Sequence, residues 1–93
     1  MTLEIVSPEA KLFSGQVTSV TVPGVDGEFQ MLNHHAAIIS ILAEGDIKIV
    51  ADNFVATKEG EAKFFIGSDK KHHLAIKSGT LEMKDNKIII LVD

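Results

Sequence analysis

The chain has 93 residues, no cysteine, 9 basic and 13 acidic residues, and a formal net charge of −4. This length predicts a single domain over residues 1–93, with a modest core. The absence of cysteine excludes a disulfide framework, a zinc–thiolate site and a thiol nucleophile, and an acidic chain without a basic stripe argues against nucleic acid as a partner.

Short β-strands separated by turns are predicted along the chain. Polar and apolar residues alternate in "TLEIV", "DIKIV" and "TLEMK", a period of two that is typical of strands with one buried face. Turn signals such as Pro23-Gly24, Glu44-Gly45 and Asp85-Asn86 separate the runs. Strands are predicted near residues 2–6, 11–14, 16–22, 27–31, 37–42, 46–51, 53–57, 62–66, 72–77, 79–84 and 87–92, some of them merging. The pattern predicts an all-β fold, a flattened antiparallel β-sandwich or barrel of about ten short strands in two sheets.

Two of the predicted strands, "AIISIL" and "KIIILVD", are apolar on both faces. Alternate side chains of a strand diverge, so the two sets of one strand cannot share one core. Either loops shield the outer faces, or a partner protein covers them. The residues taken as a candidate partner-covered face are Ile38, Leu42, Ile89 and Leu91.

Four histidines form two adjacent pairs, His34-His35 and His72-His73. Neighbours in an extended chain point to opposite faces, so one pair does not supply two ligands to one metal. One histidine from each pair, together with Asp26, Glu28 or Asp69, is an alternative metal site. A stand-alone small β-barrel enzyme or metal-binding protein that uses these pairs is therefore the alternative function. Surface or interface histidines are the favoured interpretation.

The sequence predicts no catalytic residue, no cofactor and no resident metal. It contains no G-x-S-x-G elbow that would present a serine nucleophile. The segment "PGVDG" precedes a predicted strand rather than a helix, so it lacks the helix N-terminus that makes a phosphate cradle. Its glycines are interpreted as turn residues.

An ordered set of short motifs identifies a family resemblance. The motifs are Ser7-Pro8-Glu9, Leu12-Phe13-Ser14-Gly15, Pro23-Gly24, Gly27-Glu28-Phe29, His35-Ala36 and Gly45. In this order and spacing, the chain resembles the amino-terminal domain of the epsilon subunit of the rotary, proton-translocating ATP synthase. The closing "SGTLEMKDNKIIILVD" resembles the hairpin that ends this domain in the family. Gln30, Ala37 and Ser78 stand where the family has Gly, Pro and Gly, which affects the expected loop conformations.

The resemblance implies a non-catalytic rotor subunit of the central stalk. Such a subunit docks on the gamma subunit and the c-ring and couples proton translocation to ATP synthesis. It is peripheral at the cytoplasmic face of the bacterial inner membrane, which it reaches only through the complex. The implied c-ring contacts are Glu28, Phe29, Gln30 and Met31, and the implied gamma contacts are His35, Ala36 and Ala37. Family members usually continue into two carboxy-terminal helices; this sequence ends at Asp93 without them, and we expect a natural short form.

Overall fold

A computed structural model describes all of residues 1–93, and its regular structure consists of ten strands without a helix. The strands are β1 (Thr2–Val6), β2 (Lys11–Gln16), β3 (Ser19–Gly24), β4 (Gly27–Leu32), β5 (Ile38–Leu42), β6 (Gly45–Val50), β7 (Phe64–Ile66), β8 (His72–Ile76), β9 (Gly79–Lys84) and β10 (Lys87–Val92). The all-β prediction is confirmed. No helix is long and apolar enough to cross a membrane.

The strands form one curled sheet with two five-stranded halves, β2-β1-β10-β9-β5 and β4-β3-β6-β8-β7. The halves join where Gly24 of β3 pairs with Leu42 of β5. A single bridge also links Phe13 of β2 to Ala56 in the connection between β6 and β7. All strand pairs are antiparallel except β1 with β10, which is parallel. The predicted sandwich class is therefore right, and its purely antiparallel pairing is wrong at this one pair.

A core of 19 buried apolar residues lies between the two halves. The strands supply it by alternation: in β6, Ile47 and Ile49 are fully buried, whereas Lys48 between them reaches solvent. In β10, Ile88 and Ile90 are fully buried in the same way. Because successive side chains point to opposite faces of a strand, most strands also present residues on the outer side of the sheet, and those residues form the candidate site.

The predicted strand near residues 53–57 is wrong. Only Ala56 forms a β-bridge there, and turns follow. Aromatic packing holds the segment instead: the ring centroid of Phe54 lies 4.9 Å from that of Phe13 and 3.8 Å from that of His72. The hydroxyl of Thr57 donates a hydrogen bond to the carbonyl of Leu12 over 3.0 Å. Side-chain burial rather than a backbone ladder therefore fixes this part of the chain.

The predicted outer face of β5 is also corrected. Leu42 is only 2% exposed, and Ile38 packs partly against the core. Ile39 and Ile41 point outward instead and are 79% and 63% exposed. The cause is the register with β9, which sets Ile38 opposite the buried Met83 and so turns the alternate pair of isoleucines to the outside.

Candidate functional site

Apolar side chains cross the outer side of the first half of the sheet, with Thr80, Glu82 and Glu4 among them. The register places Ile41 beside Thr80, Thr80 beside Leu91, and Leu91 beside Val6, in one row across β5, β9, β10 and β1. Water-facing sheet surfaces normally carry polar residues, so an apolar one marks an interaction surface. We call this surface the apolar face; its members are Val6, Ile39, Ile41, Ile89 and Leu91.

The loop between β4 and β5 adjoins the apolar face. His35, Ala36 and Ala37 are all exposed in this loop, and Nδ1 of His35 lies 2.8 Å from the carbonyl oxygen of Ala36. Ala37 lines the same surface depression as Ile39 and Glu82. Of the three residues implied as gamma contacts, Ala37 therefore adjoins the apolar face.

Hydrogen bonds at the start of this loop hold it against the β9–β10 hairpin. The backbone N–H of His34 donates to the side-chain oxygen of Asn86 over 2.7 Å. The side-chain N–H of Asn86 donates in turn to the side-chain oxygen of Asn33 over 2.8 Å. His34 has a φ of 64°, in the left-handed region. Asp85 and Asn86 have φ angles of 51° and 62°, which confirms the predicted tight hairpin turn.

The outer side of the second half of the sheet is ionic instead of apolar. An oxygen of Glu28 lies 2.9 Å from the ammonium nitrogen of Lys48. This hydrogen bond is the main reason that the pKa of Lys48 is raised above its ordinary value. Gln30 is exposed on the same side of β4. The exposed acid of the "GEFQM" segment is thus already paired within the chain.

Met31 is corrected as an implied c-ring contact because it is fully buried. The register of β4 with β3 sets Met31 opposite the buried Val20, on the core side of the strand. Phe29, two residues earlier, packs partly against the same core. Of the four implied contacts, Glu28 and Gln30 are the ones that point outward.

His73, on β8, is held between two carboxylates on this ionic side and is only 8% exposed. Its Nδ1 lies 3.0 Å from Oδ2 of Asp46, and its Nε2 lies 2.8 and 3.0 Å from the two oxygens of Asp69. The hydrogen bond with Asp69, followed by that with Asp46, raises the pKa of His73. A Cβ at Gly67 would lie 2.4 Å from Nε2, so glycine is needed where the loop passes the ring. We call Asp46, Asp69 and His73 the His73 clamp.

The carboxylate of Asp69 is itself fixed by the loop that carries it. The backbone N–H of Lys71 donates to Oδ1 of Asp69 over 2.9 Å. This bond, together with the one from His73, lowers the pKa of Asp69. The clamp therefore ties the loop before β8 to the outer side of β6.

The two histidine pairs do not converge. The first pair lies against the β9–β10 hairpin, whereas on β8 the ring of His72 stacks on Phe54 and His73 is engaged in its clamp. No group of three or more histidine and carboxylate side chains is arranged so that it could hold a metal ion. The alternative metal site that combined one histidine from each pair is therefore not formed.

Asp46 and Lys48 are site residues that the sequence analysis missed. Both belong to the alternating strand "GDIKIV", whose buried Ile47 and Ile49 leave them on the outer side. That alternation is the signal that predicts their exposure. Their partners follow from the pairing of β6 with β8 and of β3 with both β4 and β6, which the strand pattern alone does not specify.

Comparisons with known proteins agree with this geometry. Residues 1–64 match the family model described as the β-sandwich domain of the ATP synthase delta/epsilon chain. The chain is 33% identical over 91 residues to an ATP synthase epsilon chain of Helicobacter pylori, covering 98% of this chain and 61% of that protein. It is 37% identical over 92 residues to the one of Campylobacter curvus, covering 59% of that protein. Against the one of Chlorobium limicola it is 32% identical over 91 residues and covers 86%.

The chain thus spans about three fifths of the length of the first two of these relatives. Solved structures share its fold. A Tetrahymena thermophila mitochondrial ATP synthase structure, of the central stalk and c-ring, matches 99% of this chain and 62% of its own, with a TM-score of 0.73 at 19% identity. A Euglena gracilis mitochondrial ATP synthase structure, of OSCP, F1 and the c-ring, matches 97% of this chain and 48% of its own, with a TM-score of 0.72 at 17% identity.

Proposed function

The chain belongs to the delta/epsilon chain family of ATP synthases, and from that premise we propose that it is a non-catalytic subunit of the central stalk. In this role it docks on the gamma subunit and on the c-ring, turns with them, and couples proton translocation to ATP synthesis. It is peripheral at the cytoplasmic face of the bacterial inner membrane and reaches the membrane only through the complex. The central-stalk and c-ring structures that share its fold support this proposal.

The apolar face is the observation that carries the proposal. Three of its residues, Ile39, Ile41 and Leu91, are each more than half exposed. Covering one such side chain is worth about 1.5–3 kcal/mol, so several together suit the lasting contact that a torque-transmitting subunit requires. We assign the gamma subunit to this face because Ala37, one of the gamma contacts that the family resemblance implies, lines the same depression as Ile39.

The ionic side suits the second partner. Glu28 and Gln30 are polar and exposed, and they fit the polar loops of a c-ring better than an apolar surface does. The contact is assigned to these two residues alone, since Met31 lies in the core. A rim of exposed charges steers and orients a partner more than it adds affinity.

The non-catalytic part of the proposal is supported by how His73 is used. Both of its ring nitrogens face carboxylate oxygens at 3.0 Å or less, so neither nitrogen is available to take a proton from a substrate. Its hydrogen-bond partners are carboxylate oxygens, and none of them is a hydroxyl nucleophile. Its environment is that of a structural ion pair rather than of a general base.

The test is reconstitution with gamma and the c-ring from the same source. The double change Ile39→Ser with Ile41→Ser should weaken capture of the chain about tenfold or more, because the covered apolar area is lost. Val55→Ser is the matched control, since Val55 is 65% exposed but lies outside the apolar face. Equal loss with the control, or no loss with the double change, would contradict the assignment of this face.

A further inference from the structure

A row of alternating charges crosses the outer side of the second half of the sheet. Lys48 and His73 stand opposite each other in the ladder between β6 and β8. Lys48 also binds Glu28 of β4 at 2.9 Å, and Glu28, Lys48 and Asp69 line the same surface depression. The His73 clamp and the exposed acid are therefore two ends of one network, with Lys48 between them.

The clamp as observed requires a charged imidazole. A neutral imidazole has one N–H donor and one lone pair, whereas the imidazolium has two donors. His73 faces a carboxylate at each nitrogen, so the geometry fits the imidazolium. Loss of the proton sets a lone pair against one of the two carboxylates, which breaks one contact of the clamp.

Asp46 is the carboxylate that loses its donor. Asp69 has two contacts with Nε2, one of them at 2.8 Å, and keeps the backbone N–H of Lys71 in addition. Asp46 has a single contact at 3.0 Å. Asp46 and Lys48 share the outer side of β6, and both Asp46 and Asp69 already raise the pKa of Lys48. Lys48 is therefore the cation that a freed Asp46 recruits.

The charged and titratable groups around His73 come from three elements. β6 contributes Asp46 and Lys48, the loop before β8 contributes Asp69 and Lys71, and β4 contributes Glu28 through its bond to Lys48. The ring of Phe65 on β7 covers His73 at 5.2 Å between centroids and adds no charge. Competition for Lys48 thus involves Glu28 on one side and the clamp acids on the other.

We infer that His73, Asp46 and Lys48 form a proton-responsive relay that sets how freely the Glu28 carboxylate engages its partner. With His73 protonated, both clamp acids are satisfied and Lys48 stays on Glu28. With His73 neutral, Asp46 draws Lys48 away and releases Glu28. The inference rests on the proposed contact of Glu28 with the c-ring, and it predicts that this contact strengthens as the pH rises through the titration of His73.

The relay itself is tested on the 93-residue chain without any partner. Carbon-detected NMR follows the side-chain carboxyl carbon of Glu28 and the imidazole of His73 across a pH series from about 5.5 to about 8.5, the range in which histidines titrate. The Glu28 signal should move with the same midpoint as His73. In Asp46→Asn this movement should vanish, and in the control Asp26→Asn, an exposed acid of the β3–β4 turn, it should persist.

His73→Gln should also abolish the movement of the Glu28 signal. If His73→Gln does not fold, the result for Asp46→Asn decides the test. A Glu28 signal that stays still while His73 titrates overturns the relay. Persistence of the movement in Asp46→Asn overturns it as well, because Asp46 is the group that is inferred to recruit Lys48.

Measuring the affinity of the chain for the detergent-solubilised complex of gamma and the c-ring tests the relay and the proposed function separately. The chain should bind about two- to fivefold more tightly near pH 8 than near pH 6, as for an exposed ionic contact, and the ratio should fall to one in Asp46→Asn. No binding at either pH would overturn the proposed function and leave the NMR result standing. Equal binding at both pH values would overturn the relay and leave the proposed function standing.

Discussion

The two outer sides of this sheet differ in how the chain completes them. On the apolar face, Ile39, Ile41 and Leu91 meet water without a covering element. On the ionic side, Glu28 is paired with Lys48, and His73 lies between two carboxylates. The inward residues of both halves are alike, so the same alternation supports two surfaces of opposite character. A sheet side left apolar suits permanent cover by a partner, whereas one that pairs its own charges suits a contact whose strength can be adjusted.

The largest effect should separate the two sides of β5. Leu42→Ala should lower the free energy of unfolding by about 2–5 kcal/mol, because it opens a cavity in the core. Ile41→Ala, one residue earlier and 63% exposed, should change it by no more than about 0.5 kcal/mol. Urea denaturation of the two variants at the same pH measures both free energies of unfolding. Similar destabilisation by both would mean that Ile41 is buried in solution and that the apolar face is not open.

The second half of the sheet offers the same test on β4. Met31→Ala should lower the free energy of unfolding by about 2–5 kcal/mol, since Met31 is fully buried. Gln30→Ala should stay within about 0.5 kcal/mol of the parent chain. Thermal unfolding followed by circular dichroism distinguishes them. A tolerated Met31→Ala would restore Met31 as a candidate surface contact.

Much of the fold could be predicted because alternation and turn chemistry are local signals. The strand pattern predicts all ten observed strands and the Asp85-Asn86 turn. It fails at residues 53–57, where it predicts one strand too many and where Phe54 is held by two stacked rings rather than by a ladder. The parallel pairing of β1 with β10 joins the two ends of the chain. No local pattern specifies such a pairing, since it depends on the whole topology.

The candidate site was less predictable from the sequence, because it too depends on pairing between distant strands. Doubly apolar strands show that an extra face exists, but the register of β5 with β9 decides that Ile39 rather than Leu42 lies outside. The adjacent pair His72-His73 is visible in the sequence, whereas the contact of His73 with Asp46 spans 27 positions and depends on the β6–β8 ladder. Local alternation thus predicts exposure, and long-range pairing assigns the partners.

A smaller effect should appear in the pH dependence of stability. Asp69 raises the pKa of His73 in the folded chain, so the folded state binds the proton more tightly than the unfolded state does. The resulting stabilisation is complete below the ordinary histidine pKa of about 6.5 and is lost as the pH rises through the higher folded value. Denaturation between about pH 6 and about pH 8.5 should therefore show falling stability, which His73→Gln should flatten. His72→Gln is the control, and it should keep the slope.

The smallest effect should come from Glu28→Gln. The change removes an exposed ion pair with Lys48, and such pairs contribute little to folding, so the midpoint of unfolding should hardly move. Binding to the c-ring complex should weaken by about two- to fivefold, and the parent chain should show a comparable loss at high salt, because exposed charges are screened there.

Binding through the apolar face should resist the same salt, since burial of apolar area does not depend on screening. Titration of Glu28→Gln and of the parent chain with the c-ring complex and with isolated gamma, at low and high ionic strength, compares the two sides directly. If salt weakens both contacts equally, the apolar and ionic surfaces do not divide the partners between them; if Glu28→Gln binds the c-ring complex as the parent does, this acid has no part in the contact.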